Sequence, residues 1–471
     1  MLHSLLSYGD NLHYEKFADG SVKCIEDEIP FDLPEGWAWV RLGNLSAAIQ
    51  YGLSNSAEPQ GTHRLLRITD IQDGKVDWNT VPFTTVNDPE AYLLKTGDIV
   101  FARTGATVGK SFLITETPYP SVYASYLIRI RLLGSLSPEY IYQFFDSACY
   151  WSQITDKSVG VGQPNCNGTS LKELFIPLPP ISEQLRIVPT AQALLAYVAK
   201  IDAEKKSLLS IIMATKSKIL DLAIRGQLIP QDPNDEPASV LLERIRAEKE
   251  ELIKQGKIKR DKKESVIFRG EDNSYYLNNG QTTVDINDDL PFDIPDSWRW
   301  VRLKDVFIIN PRNKLDDDLD VSFIPMPLID DGYSGKHATE VRHWKEVKNG
   351  FTHFAEGDVG VAKITPCFEN RKSTVFENLT NGYGAGTTEL HVLRPFGNNI
   401  FVQYLLAYIK SDYFVEKGKQ TFTGDVGQQR ISKAYVESAY FPLPPVKEQE
   451  RIVQQIGIIF EFLNMIMDAL S

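Results

Sequence analysis

Twelve residues recur almost unchanged 261 positions apart: Phe31–Leu42 reads FDLPEGWAWVRL and Phe292–Leu303 reads FDIPDSWRWVRL, with 8 identities in 12. A second pair follows at an offset of 265. Ile176–Val188 reads IPLPPISEQLRIV and Phe441–Val453 reads FPLPPVKEQERIV, with 9 identities in 13. The segments between opening and exit motifs have nearly equal length but largely different sequences. A constant frame around divergent contents constrains the chain to two copies of one domain. It also implies two readers of two different things.

The 471 residues suit two such domains plus connectors. No apolar run approaches the ~20 residues of a membrane span, and residues 1–20 lack the basic start and apolar stretch of a signal peptide. Cys24, Cys149, Cys166 and Cys367 are scattered, which points to reduced thiols in the cytoplasm. A net charge of −12 argues mildly against a polyanionic partner. Overall charge, however, says little about any one face.

The expected segments are 1–30 (N-terminal), 31–180 (first domain), 181–230 (long helix), 231–290 (linker with a short charged helix), 291–445 (second domain) and 446–471 (a shorter helix). Both domains mix helix with antiparallel strand. Strand signals lie at Ser111–Thr115, Tyr126–Leu133 and Glu389–Leu393, and helical ones at Pro138–Ile154 and Asn399–Phe414. After each PLPP stop a heptad seam begins. In the first copy Ile187, Ala191, Leu194, Val198, Ile201, Lys205, Leu208, Ile212, Thr215, Ile219 and Leu222 alternate steps of four and three, and nine of the eleven are apolar. In the second, Ile452, Ile456, Ile459, Leu463, Ile466 and Leu470 do the same. Such a seam predicts that the two helices pair with each other. Gly226 ends the first helix, Gln231–Pro237 reads as a linker, Ala238–Ile253 as a charged helix, and Lys254–Lys263 as a basic, solvated stretch. Position 471 corresponds to about position 206, so the second helix is expected to be a truncated copy of the first.

With these motifs in hand, the chain resembles the specificity subunit of type I restriction-modification systems. The resemblance rests on the paired openings, the paired PLPP-x-x-E-Q-x-R-I-V exits and Leu220–Arg246, LDLAIRGQLIPQDPNDEPASVLLERIR. It implies an α+β fold: two similar target-recognition domains of mixed helix and antiparallel strand, joined by long helices forming an antiparallel coiled-coil pair. Each domain would read one half of a split double-stranded DNA target, with the helices as a ruler between them. Two modification subunits that methylate adenine would dock on this chain, and a restriction subunit through them. The resemblance places S-adenosylmethionine, ATP and Mg on those partners, leaving this chain non-catalytic and without a cofactor. The short second helix also fits a truncated scaffold that sequesters modification subunits without supporting restriction.

The residues themselves carry no catalytic constellation. Asn310-Pro311-Arg312-Asn313 lacks the second proline and aromatic of an adenine-methylating motif. Gly105–Ser111, GATVGKS, has three residues between its glycines where a phosphate loop needs four, and a strand-like SFLIT follows instead of a helix. His337, His343 and His353 lack metal-ligand spacing, and Asp316–Asp318 reads as a solvated loop. Trp37, Trp39, Trp298 and Trp300 read as core anchors.

Candidate DNA contacts fall in four places. The hairpin around GATVGKS offers Arg103, Thr104 and Lys110, and KITPCFENRKS offers Lys363, Arg371 and Lys372 at the equivalent place. Before the exits, GVGQPNCN offers Gln163, Asn165 and Asn167, and GDVGQQR offers Gln428, Gln429 and Arg430. Amides pair bidentately with adenine and guanidinium with guanine in the major groove, although Asn and Gly also serve plain turns. Arg64, Arg67, Arg342 and Lys345 are weaker candidates, for phosphate as much as for bases.

Overall fold

The computed structural model describes residues 12–17, 19–72, 74–157, 165–260, 265–397, 399–425 and 427–470, with the strand Ser4–Ser7 before them. The chain divides into two compact units, 1–201 and 202–471, and the division falls inside the long helix α1 (Ile181–Ile224). Residues 261–264, at the end of the basic stretch, and 158–164 lie outside the described residues.

The first unit contains β1 (Ala38–Arg41), β2 (Ser46–Tyr51), β3 (Ile99–Ala102), β4 (Ser111–Leu113), β5 (Leu127–Leu132) and β6 (Phe175–Leu178). Strands β4-β3-β5-β2 form one antiparallel sheet. The second unit repeats this with β7 (Arg299–Arg302), β8 (Phe307–Ile309), β9 (Val359–Ala362), β10 (Ser373–Val375), β11 (Leu390–Pro395) and β12 (Tyr440–Leu443). Its sheet, β10-β9-β11-β8, has the same order. In both units the strand at the sheet centre begins after a glycine with positive φ, Gly97 (+90°) or Gly357 (+80°), that only a residue without Cβ adopts freely. The aspartate after it is buried. Asp98 accepts the Lys95 amide at 2.8 Å and pairs with Arg131 at 2.6 Å; Asp358 accepts the Ala355 amide and pairs with Arg394, both at 2.7 Å.

Not every strand pair is antiparallel. Ser121–Tyr123 runs parallel to His63–Leu66, and Tyr383–Gly386 parallel to Asp320–Ile324. The two helical stretches also break. Pro138–Phe144 and Ala148–Lys157 are separate helices, with the Ser147 hydroxyl accepting the Tyr150 amide at 3.2 Å. Val402–Ile409 and Asp412–Lys419 are separate too, with Ser411 capping the second. Upstream, each unit has a three-stranded meander that the letters do not reveal as a repeat. The strands are Ser4–Ser7, His13–Lys16 and Val22–Cys24 in one unit, and Val266–Arg269, Tyr275–Asn278 and Thr283–Asp285 in the other.

The repeated motifs meet. Opening strand β1 pairs antiparallel with exit strand β6, Trp39 opposite Pro177, and β7 pairs with β12, Trp300 opposite Pro442. Trp298 is fully buried and its indole N–H donates to Glu448 at 2.9 Å; half-buried Trp37 donates to Glu183 at 3.2 Å. The glutamine of each E-Q step is buried and used at both ends. Gln184 accepts the Ser137 amide (3.2 Å) and donates to the Pro179 carbonyl (2.8 Å); Gln449 accepts from Phe401 and donates to Pro444, both at 2.9 Å. The motif therefore clamps helix start, exit strand and opening strand together.

In the second unit α2 (Ala238–Lys254) buries Leu241, Leu242 and Ile245 in the same core as Trp298. Helix α3 (Val446–Leu470) lies along the second half of α1, where Ile219, Leu220 and Ala223 share a core with Ile452 and Ile456, and Ile459 and Leu463 pack at its edge. The pair is antiparallel: Lys216 donates to Asn464 at 2.6 Å, while Gln231, beyond the end of α1, donates to Glu448 at the start of α3. Ile212 is buried, Leu208 is 38% exposed, and Ile466 at the far end of α3 is 43% exposed. Ile187 packs on the core of the first unit. Leu194, Val198 and Ile201, in the first unit, stand 54–62% exposed. Among the described residues α3 is a helix long and apolar enough to cross a membrane by length and composition. Its first three turns, however, are folded into the second unit, with Glu448, Gln449, Ile452 and Ile456 buried.

Candidate nucleic-acid interface

The GATVGKS segment folds as a hairpin turn between β3 and β4, with one 3-10 turn at Gly105–Thr107. Directly after β3, the Arg103 amide donates to the Tyr126 carbonyl at 3.1 Å and its Nε to the Ser125 carbonyl at 3.0 Å. Its guanidinium lies 5.1 Å from the Tyr51 ring centroid, which favours the cation. The loop before the exit is stitched to this turn. The Cys166 amide donates to the Arg103 carbonyl at 3.0 Å, Thr104 bridges Asn165, and the Tyr51 hydroxyl accepts the Gly168 amide at 2.9 Å. Arg103, Thr104 and Asn165 are thus gathered at one end of the sheet. Lys110 is exposed at the far side of the turn. Asn167 is used locally, its side chain capping the helix Gly168–Lys172 by accepting the Ser170 amide at 2.8 Å. Gln163 lies outside the described residues.

The second unit repeats these bonds with other side chains. The Lys363 amide donates to the Glu389 carbonyl and the Ile431 amide to the Lys363 carbonyl, both at 2.9 Å, and Ile364 bridges Arg430. The Thr365 amide donates to the Gln429 carbonyl at 2.9 Å, and the Gln429 amide to the Thr365 hydroxyl at 3.1 Å. Arg430 grips Glu389 through two nitrogens, at 2.9 and 3.0 Å, and donates a third bond to the Gln428 carbonyl at 2.9 Å. That hydrogen bonding holds the Glu389 carboxyl below its ordinary range and raises the Arg430 guanidinium.

Arg371 and Lys372 do not join this cluster. Lys372 takes the backbone place of Lys110, each carbonyl accepting from the alanine that ends the preceding strand. Its ammonium nevertheless turns inward to the Ile329 carbonyl at 2.5 Å and Asp331 at 3.6 Å, leaving the side chain 15% exposed. Arg371 adopts a left-handed φ of +56° where Gly109 has +90°, bonds the Lys410 carbonyl at 3.0 Å and pairs with Asp412. The weaker candidates are also held by neighbours. Arg64 stacks on Phe83 at 3.9 Å, and Arg67, Arg342 and Lys345 pair with Asp70, Glu340 and Asp318. Among the described residues no three His, Cys, Asp or Glu side chains converge as metal ligands. Three residues of the two clusters escape sequence reasoning: Tyr51, Tyr126 and Glu389. They lie at strand ends without a repeated letter to mark them.

The family model for the type I restriction modification DNA specificity domain matches residues 34–211 and again 295–467, so each match encloses one sheet, its hairpin turn and its exit loop. The chain belongs to this family. Members of the type I specificity family similar to it include the EcoAI specificity subunit of Escherichia coli. That protein is 48% identical over 243 residues, which is 51% of this chain and 38% of the EcoAI subunit. The EcoEI subunit of Escherichia coli is 46% identical over the same shares. This chain thus matches well under two thirds of the length of those relatives. The putative MjaX specificity subunit of Methanocaldococcus jannaschii is 22% identical over 92% of this chain and 89% of its own. The fold agrees with that of the HsdS subunit from Thermoanaerobacter tengcongensis (TM-score 0.50, 19% identity, 94% and 93% covered). A chain solved in a study of type I R-M complex assembly and conformational transition agrees likewise (TM-score 0.55, 19% identity, 94% of each).

Proposed function

We propose that this chain is the DNA-specificity subunit of a type I restriction-modification complex, with each unit reading one half of a bipartite double-stranded target. The observation that carries the reading is a constant frame presenting different polar side chains from equivalent backbone positions, Arg103 and Asn165 in one unit and Lys363 and Arg430 in the other. A cationic centre flanked by amides or guanidinium suits phosphate contact and base-edge bonding together. The chain itself performs no chemistry. Two modification subunits would supply S-adenosylmethionine-dependent adenine methylation, and a restriction subunit would supply the ATP- and Mg-dependent step. The exposed apolar face of α1 around Leu194, Tyr197 and Ile201 supports docking of partner subunits in the cytoplasm.

The test is methylome sequencing of a host expressing this chain with the modification subunit of its own locus. A new N6-methyladenine motif of two short halves around a fixed gap is expected. Exchange of residues 45–174 for another recognition domain should change one half alone; a change in both would sink the two-reader reading. A stable complex with the modification subunit but no motif would make the chain a sequestering subunit instead.

A further inference from the structure

We propose that three equivalent backbone positions in each unit form its base-reading site, and that Tyr126 in the first unit and Glu389 in the second determine specificity there. The inference rests on the specificity-subunit reading. In each unit the central strand pairs with its neighbour up to a last rung, Ala102 opposite Leu127 and Ala362 opposite Leu390. The residue just past that rung on the central strand, Arg103 or Lys363, donates its amide to the residue just before the neighbouring strand, Tyr126 or Glu389. The same residue accepts an amide from the exit loop, where the third position, Asn165 or Arg430, bridges the next residue of the turn. The backbone wiring is the same, and all three side chains differ. One unit presents a guanidinium, a phenol and a carboxamide; the other presents an ammonium, a carboxylate and a guanidinium.

Positions that hold these same sheets together are identical in both units: Gly97 and Gly357, Asp98 and Asp358, Arg131 and Arg394, Gln184 and Gln449. Buried strand positions also differ, Val100 and Phe101 against Gly360 and Val361, but the three positions at the end of the sheet are not buried in either unit. Tyr126 is 60% exposed, a large aromatic surface with a polar tip, fitted to pack on a thymine methyl or a base face and to bond an edge. Glu389 is a carboxylate in a group meant to meet a polyanion, which is unfavourable unless it discriminates. It fixes the Arg430 fork by a bidentate grip, accepts from an exposed amino group of cytosine, and repels phosphates that approach out of register.

The experiment uses the full-length chain in complex with its modification subunit, reading methylated motifs and competition binding on variant duplexes. Tyr126→Ala is expected to shift base preference about tenfold at one position of one half-site and to leave the other half intact. Glu389→Gln is expected to do the same in the opposite half, and also to strengthen binding to unrelated duplex severalfold at low salt. Glu389→Asp, which keeps the charge but shortens the reach, should relax preference without that gain. Glu236→Gln, which alters an exposed carboxylate paired to Arg244 on α2 and outside the cluster, should change neither half. Unchanged preference in the Tyr126 and Glu389 variants, with complexes intact by pull-down, overturns the inference. Failure of the unaltered chain to specify any bipartite motif overturns the reading beneath it instead.

Discussion

Trp298→Ala is expected to lower the stability of the second unit by about 4 kcal/mol, the range for deleting a fully buried tryptophan ring. The indole is completely buried, edge-on to Tyr404 at 6.2 Å, and its N–H is one of two side-chain donors to Glu448, which is itself 1% exposed. Truncation therefore opens a cavity and strips a bond from a carboxyl that burial already pushes above its ordinary range. Trp298→Phe, which keeps a six-membered ring but loses three ring atoms together with the N–H, should cost less, about 2–3 kcal/mol. The matching change in the first unit, Trp37→Ala, should also cost less, about 2 kcal/mol, because Trp37 is half-buried and its bond to Glu183 is longer, 3.2 Å. Urea titration combined with hydrogen exchange at the amides of β7 and β12 resolves the unit concerned. Equal losses at Trp37 and Trp298 would show that burial does not set the cost of breaking this clamp.

The second unit is also expected to lose about 3 kcal/mol of stability as pH falls from 6.5 toward 4, through His391. Burial depresses this imidazole from 6.5 to about 4, with Lys363 and Lys433 adding to the effect and its bond to the Ile431 carbonyl opposing it. The hydrogen bonds match a neutral ring: Nε2 donates to Ile431 at 3.3 Å, and Nδ1 accepts from Asn310 at 3.3 Å. Within that window the unfolded chain takes up a proton that the folded unit refuses, so stability falls as pH falls. The raised Glu448 carboxyl works in the opposite sense, favouring the folded state as it protonates. The difference between unaltered and His391→Asn proteins isolates the imidazole. His391→Asn should flatten the pH dependence, and parallel curves would remove His391 from the account. Protonation leaves Nε2 donating to Ile431 and removes the Nδ1 acceptor that Asn310 uses, so the strain falls on Asn310.

The frame was legible in the sequence because each of its letters answers to another far along the chain. Tryptophan, glutamate, glutamine and the prolines keep their identities in both copies because their bonds tie the opening motif, the exit prolines and the start of the following helix together. The helix breaks at Ser147 and Ser411 carried a local signal, a serine able to cap, hidden inside continuous aromatic periodicity. The parallel pairing of His63–Leu66 with Ser121–Tyr123 left no trace, since more than fifty residues separate the strands and period-2 patterning is blind to direction. Heptad periodicity located the seam but could not say what covers it. It treats exposed Val198 and buried Ile212 alike. In the candidate site, residue type marked Lys372 as a cation for DNA, and packing turned it toward the Ile329 carbonyl. Glu389 was invisible because its role depends on two bonds from a residue 41 positions away.

The pairing of first and last strands has a bearing on how such a chain reaches its native state. With AWVR and RWVR as openings, and FIPL and YFPL as exits, β1 is nearly as good a partner for β12 as for β6. Crossed pairing would trap one half of the molecule inside the other, or exchange halves between two molecules. Vectorial synthesis removes the ambiguity. Leu178 leaves the ribosome 121 residues before Arg299, on the order of ten seconds ahead. The first ring of contacts can therefore close while its competitor does not yet exist, a kinetic ordering that refolding from denaturant, with both copies present at once, does not provide.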